Sequence, residues 1–265
     1  MSIEEMEGTT YGPFVYRTDP EKVAEYTTLV GGTEAVPRSL AGALLFVVTP
    51  HLLSDPRAGE STRSVIHGDQ AFTWHAPIPS GAALDVSGTV RRVRGRGEVF
   101  FTSFDLEVAL DGAPLVTGAS TFLMSAGSTT GGSEERPEPD PNEGHVDVVD
   151  GTVSDAASLV GRFGASRSDL VRYAGASRDW NPIHWDHAAA VAAGLPGIVV
   201  HGLFQSGWVT EAAVRLGLEP SSAKFRYRRP LPAGTKAELS AVAKEGSTVM
   251  ELADSDGPYL TATFE

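Results

Sequence analysis

The sequence has no cysteine among its 265 residues. This absence excludes disulfides, thiol nucleophiles and thiolate metal ligands. No apolar run approaches the roughly 20 residues that a membrane-spanning helix needs. The acidic N-terminal stretch MSIEEMEGTTYG also lacks the apolar core of a secretory signal. We therefore expect a cytoplasmic protein that does not associate with membranes.

Basic residues are scarce, with 21 Lys and Arg against 34 Asp and Glu, which gives a formal net charge of −13. This balance argues against binding to nucleic acids or anionic membranes. A phosphate-bearing ligand such as coenzyme A would need a local basic cluster. The chain offers two, at residues 91–96 and 224–229. Each is equally consistent with a solvated strand face.

The residues suited to chemistry lie in one stretch, 173–203, which contains SRDWNPIHWD. Pro182 fits the first position of a helix and Asn181 is a strong N-cap type. We therefore predict one helix from Pro182 to Gly194, a residue type common just after helix ends.

In this arrangement Asp179 lies on the loop that enters the helix and His184 lies in its first turn. The corner between loop and helix lets both side chains face one small volume. A carboxylate and an imidazole that share a water are suited to proton transfer to and from carbon. Each residue alone would more often be structural, with Asp179 as a cap and His184 on the surface.

A second helix is predicted to begin near Gly202 and to end at Gly217. Unpaired N–H groups at a helix start favour developing negative charge, and a glycine lets a substrate carbonyl approach the backbone. His201 precedes this helix and contacts either substrate or loop backbone. An acid/base pair next to such an oxyanion site indicates chemistry beside a carbonyl group.

A metal site is the competing hypothesis for this stretch, because His184, Asp186 and His187 are close in sequence. Catalytic zinc sites usually have three converging protein ligands. Asp186 and His187 are more simply first-turn surface residues, and we predict no metal.

SRDWNPIHWD followed by His-Gly resembles the signature of the MaoC-like (R)-specific enoyl-CoA hydratases and (3R)-hydroxyacyl-thioester dehydratases. Their pattern is Ser-Gly-Asp-x-Asn-Pro-[apolar]-His, with His-Gly about twenty residues later. Arg178 stands where that family usually has glycine. The resemblance implies that Asp179 and His184 are catalytic, that Asn181 orients the site and that the Gly202 amide binds the oxyanion.

The remaining site predictions concern substrate binding. The flanking aromatic residue, the histidine before the second helix and part of one basic cluster are assigned to it: Trp180, His201, Arg226 and Arg228. No cofactor is implied, because the reaction is not redox. The expected partner is an acyl group carried by coenzyme A or by acyl carrier protein.

The chain also contains an internal repeat. FTWHAPIPSG at 72–81 matches FRYRRPLPAG at 225–234, and an Asp-Gly turn precedes the last strand of each half. The apolar segment SLAGALLFVVTPHLL predicts a buried helix that ends at Pro50, followed by a run of strands. The pattern indicates an α+β fold in which antiparallel sheet wraps around a helix, twice.

This organisation fits the double hot-dog architecture of larger members of the resembled family. We predict a degenerate hot-dog unit at 1–125 that shapes the acyl pocket, a flexible linker at 126–145 and a catalytic hot-dog unit at 146–265. The first unit has no counterpart of the Asp-x-Asn-Pro-x-x-His motif. One active site per chain is therefore expected, and two such chains can pair as a homodimer.

The predicted function is reversible hydration of trans-2-enoyl thioesters, or dehydration of (3R)-hydroxyacyl thioesters, in fatty-acid or related acyl metabolism. One alternative is a hot-dog acyl-thioesterase, in which the carboxylate directs water to C1 instead of C3. A second alternative is a non-catalytic acyl-binding protein or partner subunit. Release of free thiol, and binding without turnover, would distinguish these alternatives.

Overall fold

A computed structural model describes residues 2–127, 134–148 and 151–265. Residues 128–133, which belong to the predicted linker, lie outside the described residues. The helices within these ranges are α1 (Pro20–Val30), α2 (Leu40–Leu53), α3 (Arg167–Ser177), α4 (His187–Ala192) and α5 (Gly202–Arg215). Short 3-10 helices occupy Ile3–Met6, Gly59–Thr62 and Pro182–His184.

The strands form one antiparallel sheet in the order β1-β3-β4-β5-β2-β8-β11-β10-β9-β7-β6. Their bounds are β1 (Thr10–Arg17), β2 (Ser64–Trp74), β3 (Ala83–Arg96), β4 (Val99–Leu110), β5 (Ala113–Ser125), β6 (His145–Val148), β7 (Ser158–Gly164), β8 (Ser222–Tyr227), β9 (Ala237–Lys244), β10 (Ser247–Asp254) and β11 (Gly257–Phe264). Strands β2 and β8 join the two halves. Each half buries one long helix against its strands, α2 in the first and α5 in the second.

Helix α2 is almost wholly buried, which explains why it is apolar all round. The prediction that it ends at Pro50 is wrong, since Pro50 lies inside the helix, which continues to Leu53. The missing N–H of Pro50 removes one hydrogen bond in the last turn. The Ser54 amide nevertheless bonds to the Pro50 carbonyl, and Leu52 is fully buried. We infer that this burial carries the helix past the proline.

The register between β2 and β8 reproduces the sequence repeat. Phe72 pairs with Ala223 and Gln70 pairs with Phe225, on either side of the Ala71–Lys224 pair. Residues 72 and 225 differ by 153, as do residues 70 and 223, so the pairing is two-fold symmetric. Phe72 and Phe225 meet edge to face with ring centroids 6.4 Å apart. The two halves therefore share one core at this seam.

The helices repeat as well, and they show where the halves differ. Helices α1 and α3 each have 11 residues, and each is followed by a residue in the left-handed region, Gly31 and Arg178. Helices α2 and α5 each have 14 residues. Residues 31–39 connect the first pair of helices, whereas residues 178–201 connect the second pair. The longer connection carries the motif.

The described part of the linker lies against the second half. The Arg136 amide donates to the Pro196 carbonyl at 2.7 Å, and the Ser168 amide donates to the Pro141 carbonyl at 3.2 Å. Arg167 forms an ion pair with Glu138. Mobility of the linker stays a prediction. None of the helices in the described ranges is both long and apolar enough to cross a membrane.

Candidate active site

Helix α3 ends directly before the residues of the candidate site. It begins with a capping box, in which Ser166 and Asp169 bond reciprocally to each other's backbone amides. It ends at Arg178, whose φ of 70° reverses the chain direction. This conformation is costly for a residue with a Cβ. Asp179 follows directly and turns inward, with its amide bonded to Ser177 Oγ at 3.2 Å.

Asn181 has the capping role predicted for it. Its side chain accepts a hydrogen bond from the Ile183 amide at 3.4 Å, and its own amide lies 3.3 Å from Asp179 Oδ1. The single helix predicted from Pro182 to Gly194 is wrong. The 3-10 turn Pro182–His184 ends, and Asp186 in extended conformation caps a separate helix, α4. A second strong N-cap type inside the Ala-rich segment splits the helix.

Asp179 and His184 face one another in a buried position. Their side chains are 11% and 9% exposed, and Asp179 Oδ2 lies 4.0 Å from His184 Nε2. That separation is too long for a direct hydrogen bond and suits one bridging water. His184 Nδ1–H donates to the Val199 carbonyl at 2.8 Å, so Nε2 carries a lone pair when the ring is neutral.

Burial moves the two groups in opposite directions. It raises the pKa of Asp179 above its ordinary value of 3.8, because the ionised carboxylate loses solvation. It lowers the pKa of His184 below 6.5 for the same reason, although the neighbouring carboxylate opposes that change. The carboxylate is thereby a stronger base than in water, and the imidazole stays neutral at neutral pH.

His201 contacts both the ring of His184 and the backbone of Asp179. Its ring stacks on that of His184 at a centroid distance of 3.8 Å, and its Nε2–H donates to the Asp179 backbone carbonyl at 3.2 Å. Burial, and then His184, hold the pKa of His201 well below its usual range. Among the described residues its buried Nδ1 has no hydrogen-bond partner. Of the two contacts predicted for His201, the structure has the one to loop backbone.

Gly202 is the first residue of α5. Within the described part of the chain no hydrogen bond is made by its amide. A Cβ at this position would lie 3.1 Å from the ring of Tyr227, so a side chain there would require that ring to shift by a few tenths of an ångström. The Tyr227 hydroxyl in turn lies 2.7 Å from Ser206 Oγ, one turn into the helix. An open amide at the start of a 14-residue helix can bind an oxyanion.

The other predicted substrate-binding residues are spread more widely. Trp180 is next to Asp179 in sequence but 55% exposed. Arg226 forms an ion pair with Asp69 at 3.0 Å on the exposed face of the sheet, and Arg228 is exposed two residues further along the chain. The intervening Tyr227 faces the opposite side, towards Gly202. The structure therefore brings Trp180 to the site's edge and leaves the two arginines outside.

The donor set of the site is only partly suited to a metal. Ligand atoms of Asp179, His184 and His201 lie within 4.8 Å of one another. However, the two imidazole rings are stacked within 24° of parallel, and imidazole lone pairs lie in the ring plane. Two stacked rings cannot direct both lone pairs at one cation. Of the other candidate ligands, Asp186 instead caps α4 and His187 contacts Glu135.

Three parts of the site have weak or no sequence signals. Val199 acts through its carbonyl, which any residue has. Tyr173 packs against His201 at 4.8 Å and is identifiable only from the fold. Tyr227 has only an indirect signal in the repeat, where its counterpart is Trp74. The side chain of Trp74, at the end of β2, likewise reaches the start of a central helix, because its Nε1–H donates to the Arg38 carbonyl just before α2.

Comparison with known proteins agrees with this geometry. Residues 144–256 match the family model described as a MaoC like domain. The 3-hydroxyacyl-thioester dehydratase X of Mycobacterium tuberculosis is 24% identical over 255 residues, which cover 92% of this chain and 85% of that protein. The crystal structure of HtdX from the same organism superposes with a TM-score of 0.73 at 22% identity, covering 97% and 99% of the two chains.

A conserved hypothetical protein of Mycobacterium tuberculosis described as having a double hotdog fold superposes with a TM-score of 0.60 at 12% identity, over 100% of this chain and 97% of that one. This likeness and the one to HtdX extend over both halves, whereas the family match is confined to the half that holds Asp179, His184 and Gly202. The protein thus has a double hot-dog fold, and its residues 144–256 match the MaoC like domain.

Proposed function

We propose that this protein catalyses the reversible hydration of trans-2-enoyl thioesters, and the reverse dehydration of (3R)-hydroxyacyl thioesters. The observation that carries the proposal is the buried Asp179–His184 pair, 4.0 Å apart, beside the open amide at the start of α5. The family match to residues 144–256 supports the same reaction class.

In the hydration direction, the thioester carbonyl accepts a hydrogen bond from the Gly202 amide. The N-terminus of α5 stabilises the negative charge that develops on this oxygen when C3 is attacked. Water held between Asp179 Oδ2 and His184 Nε2 adds to C3. One of the two groups accepts a proton from that water, and C2 receives a proton from the pair. The product is the 3-hydroxyacyl thioester, with no atom left over.

Dehydration follows the same path in reverse. The pair removes a proton from C2, the enolate oxygen is held by the Gly202 amide, and the C3 hydroxyl leaves as water after protonation. The raised pKa of Asp179 helps here, because a stronger base abstracts the weakly acidic C2 proton more readily. The (R) configuration at C3 is an implication of the family resemblance.

We also propose one site per chain, and the hydrogen bonds at the start of α2 support this. By the helix repeat, the start of α2 is the counterpart of the start of α5. In the first half the Ser39 amide donates to Glu211 Oε1 at 3.0 Å, and this carboxylate is almost fully buried. The Leu40 amide, which is the counterpart of the Gly202 amide, donates to the Pro37 carbonyl at 3.0 Å, so these two amides at the start of α2 are already paired within the protein. We assign the first half, 1–125, to shaping the acyl pocket.

Acyl-coenzyme A or an acyl carrier protein is the proposed bearer of the substrate. Because both halves belong to one chain, the reaction needs no second copy. Association of two chains into a homodimer is a further proposal, which sedimentation of the purified protein tests. A cytoplasmic location is likewise proposed from the sequence and is tested by cell fractionation.

The test of the reaction is product analysis. The protein is incubated with trans-2-enoyl-coenzyme A, and the product is offered to 3-hydroxyacyl-coenzyme A dehydrogenases of known stereospecificity. Oxidation by the (3R)-specific enzyme alone is expected. A thiol reagent in parallel samples reports hydrolysis. Free thiol in place of the hydroxyacyl product would identify an acyl-thioesterase, and tight binding with neither product would identify an acyl-binding protein.

A further inference from the structure

Strand β2 contains an irregularity that turns His67 towards the interior. The register with β5 shifts between His67 and Asp69, so that Gly68 is an extra residue. Before the shift His67 pairs with Phe122, and after it Gln70 pairs with Ser120. Cross-strand partners share a face of the sheet. Both pairs face inward because Phe122, Ser120 and Gln70 are buried, and bulges of this kind commonly re-aim a side chain.

His67 is held by a hydrogen-bond network that fixes its tautomer. The Gln70 amide nitrogen donates to the Ala71 carbonyl at 2.8 Å, so Gln70 Oε1 is the acceptor of this side chain. Ser120 Oγ donates to that oxygen at 2.6 Å, and His67 Nε2 lies 3.1 Å from it. His67 Nε2 must therefore carry the proton. Nδ1 is then the unprotonated nitrogen of the neutral ring and can act as an acceptor.

The other half of the molecule shows that the fold does not require these polar groups. By the β2–β8 repeat, the counterpart of Gln70 is Ala223. Ala223 pairs with Phe264, just as Gln70 pairs with Ser120. Both counterparts are apolar and buried. Burying polar groups is costly even when they are bonded to one another, so a role outside folding accounts for them best.

His67 is connected to the candidate active site through Tyr227. The rings of His67 and Tyr227 have centroids 5.1 Å apart, and the Tyr227 ring covers Gly202. Ser206 Oγ lies 3.3 Å from the Gly202 carbonyl, to which it can donate. Tyr227 then donates to Ser206, and a lone pair on the Tyr227 oxygen stays available. Burial also lowers the pKa of His67 to about 4, which keeps the ring neutral.

The surface next to the oxyanion site thus offers hydrogen-bond acceptors from His67 and Tyr227, set among aromatic rings. Because His67 points inward from the sheet whereas Trp180 is exposed, we assign this surface to the acyl group and not to its carrier. A plain hydrocarbon chain that excludes water from this surface would leave these acceptors unpaired, which is unfavourable. A hydroxyl group would pair with them.

Building on the proposed function, we propose that His67 selects acyl thioesters that carry a hydroxyl group on the acyl chain beyond C3. The first half of the molecule then contributes substrate specificity through a residue on β2, while the second half contributes the reacting groups.

The test compares terminally hydroxylated medium-chain trans-2-enoyl-coenzyme A substrates with their unsubstituted counterparts, at several chain lengths. For the wild type we expect kcat/KM to favour the hydroxylated substrate by about fivefold or more at the matching length. His67→Phe keeps a ring and removes the acceptor, so the preference should disappear while turnover of the plain substrate persists. His75→Phe, an exposed histidine at the end of the same strand, is the matched control and should keep the preference.

Equal kcat/KM for both substrate types at every length, or a preference unchanged by His67→Phe, would overturn the proposal. Gln70→Met is the second variant if His67→Phe does not fold, and it should weaken the preference because the tautomer is no longer fixed. Saturated hydroxyacyl- and acyl-coenzyme A are compared by calorimetry on the same proteins. If no enoyl thioester is turned over, the proposed reaction fails, and the binding ratio alone decides whether His67 recognises the hydroxyl.

Discussion

The same burial acts on both Asp179 and His184: it makes the carboxylate a stronger base and keeps the imidazole neutral, as the proposed reaction requires. Residues of the loop 178–201 hold the two side chains in this buried position. His201 supports the Asp179 carbonyl, Val199 fixes the His184 ring, and Asn181 directs its amide at the carboxylate. These supports act mostly through backbone atoms.

Removing the charge of Asp179 should make the protein more stable while it stops catalysis. Asn has the same shape and keeps an oxygen for the Asn181 amide. Because burial raises the pKa of Asp179, the ionised form destabilises the fold at pH values above that raised pKa, and this penalty vanishes below about 4. We expect Asp179→Asn to unfold in urea with a free energy about 0.5–2 kcal/mol higher at pH 7.5.

The same comparison at pH 4 is the internal control, because near its ordinary pKa of 3.8 the wild-type carboxyl is about half protonated in the unfolded state and more fully protonated in the folded state, so little of the penalty remains. The gain in stability should shrink there. A variant that is less stable than the wild type at pH 7.5 would show that the ionised carboxylate is well compensated in the folded protein.

The pH dependence of kcat/KM should have its acidic limb below pH 6.5. Activity needs an ionised Asp179 and a neutral His184, and both are lost on acidification. Burial lowers the pKa of His184 from 6.5, so protonation of the imidazole should reduce activity only below that pH, and it raises the pKa of Asp179 from 3.8, so protonation of the carboxylate should reduce activity already above that pH. Initial rates at constant ionic strength measure it. Half-maximal activity at or above pH 6.5 would contradict the assigned environment of His184.

Among the secondary-structure elements, helix α3 ends at a non-glycine residue in the left-handed conformation. Arg178 has φ of 70° at a position where the repeat has Gly31 and the resembled family has glycine. Its guanidinium lies 4.9 Å from the ring centre of Tyr16, so it connects the second half to the first. The cation–π contact partly offsets the backbone cost.

Substitutions at Arg178 should separate the effect of its left-handed backbone conformation on stability from the effect of its contact with Tyr16. Arg178→Gly and Arg178→Ala both remove the contact with Tyr16, but only glycine adopts this conformation freely. We therefore expect the glycine variant to be about 1 kcal/mol more stable than the alanine variant in urea unfolding. Tyr16→Leu serves as the control for the contact alone. Equal stability of the two Arg178 variants would mean that the loop relaxes out of the left-handed conformation.

For the secondary-structure elements, the sequence predicts where a helix lies better than where a helix is interrupted or extended. Cap residue types mark both ends of α1, where Asp19 and Pro20 begin the helix and Gly31 follows its last residue. The prediction of a single helix from Pro182 treats Asp186 as a surface residue, although Asp186 is itself a cap type and begins α4. The continuation of α2 past Pro50 depends on tertiary burial, which has no local signal.

For the whole molecule, the repeat was the most informative feature of the sequence. The match between residues 72–81 and 225–234 predicts two similar units, and the two-fold symmetric register of β2 with β8 agrees with that repeat. The Gly68 bulge and the polar network of His67 could not be predicted, since the strand pattern alone does not locate an extra residue.

The continuous sheet and shared core predict that the two halves unfold together. Trp74 belongs to the first half and donates to the Arg38 carbonyl just before α2. Trp208 lies on α5 of the second half and donates across to the Leu29 carbonyl of α1. Single-tryptophan variants with Trp at 74 or at 208 should give the same urea midpoint, equal to that of loss of far-ultraviolet dichroism. Two separated transitions would show that the β2–β8 seam couples the halves weakly.

The central claim is that Asp179 and His184 hydrate an enoyl thioester held by the Gly202 amide. The most direct measurement is the loss of absorbance at the conjugated enoyl-thioester band, with crotonyl-coenzyme A and a longer enoyl-coenzyme A. The account predicts turnover by the wild type, and a fall in kcat of about 10²–10⁴ in both Asp179→Asn and His184→Ala. Folded variants that retain wild-type rates, or a wild type without activity on any enoyl thioester, would contradict it.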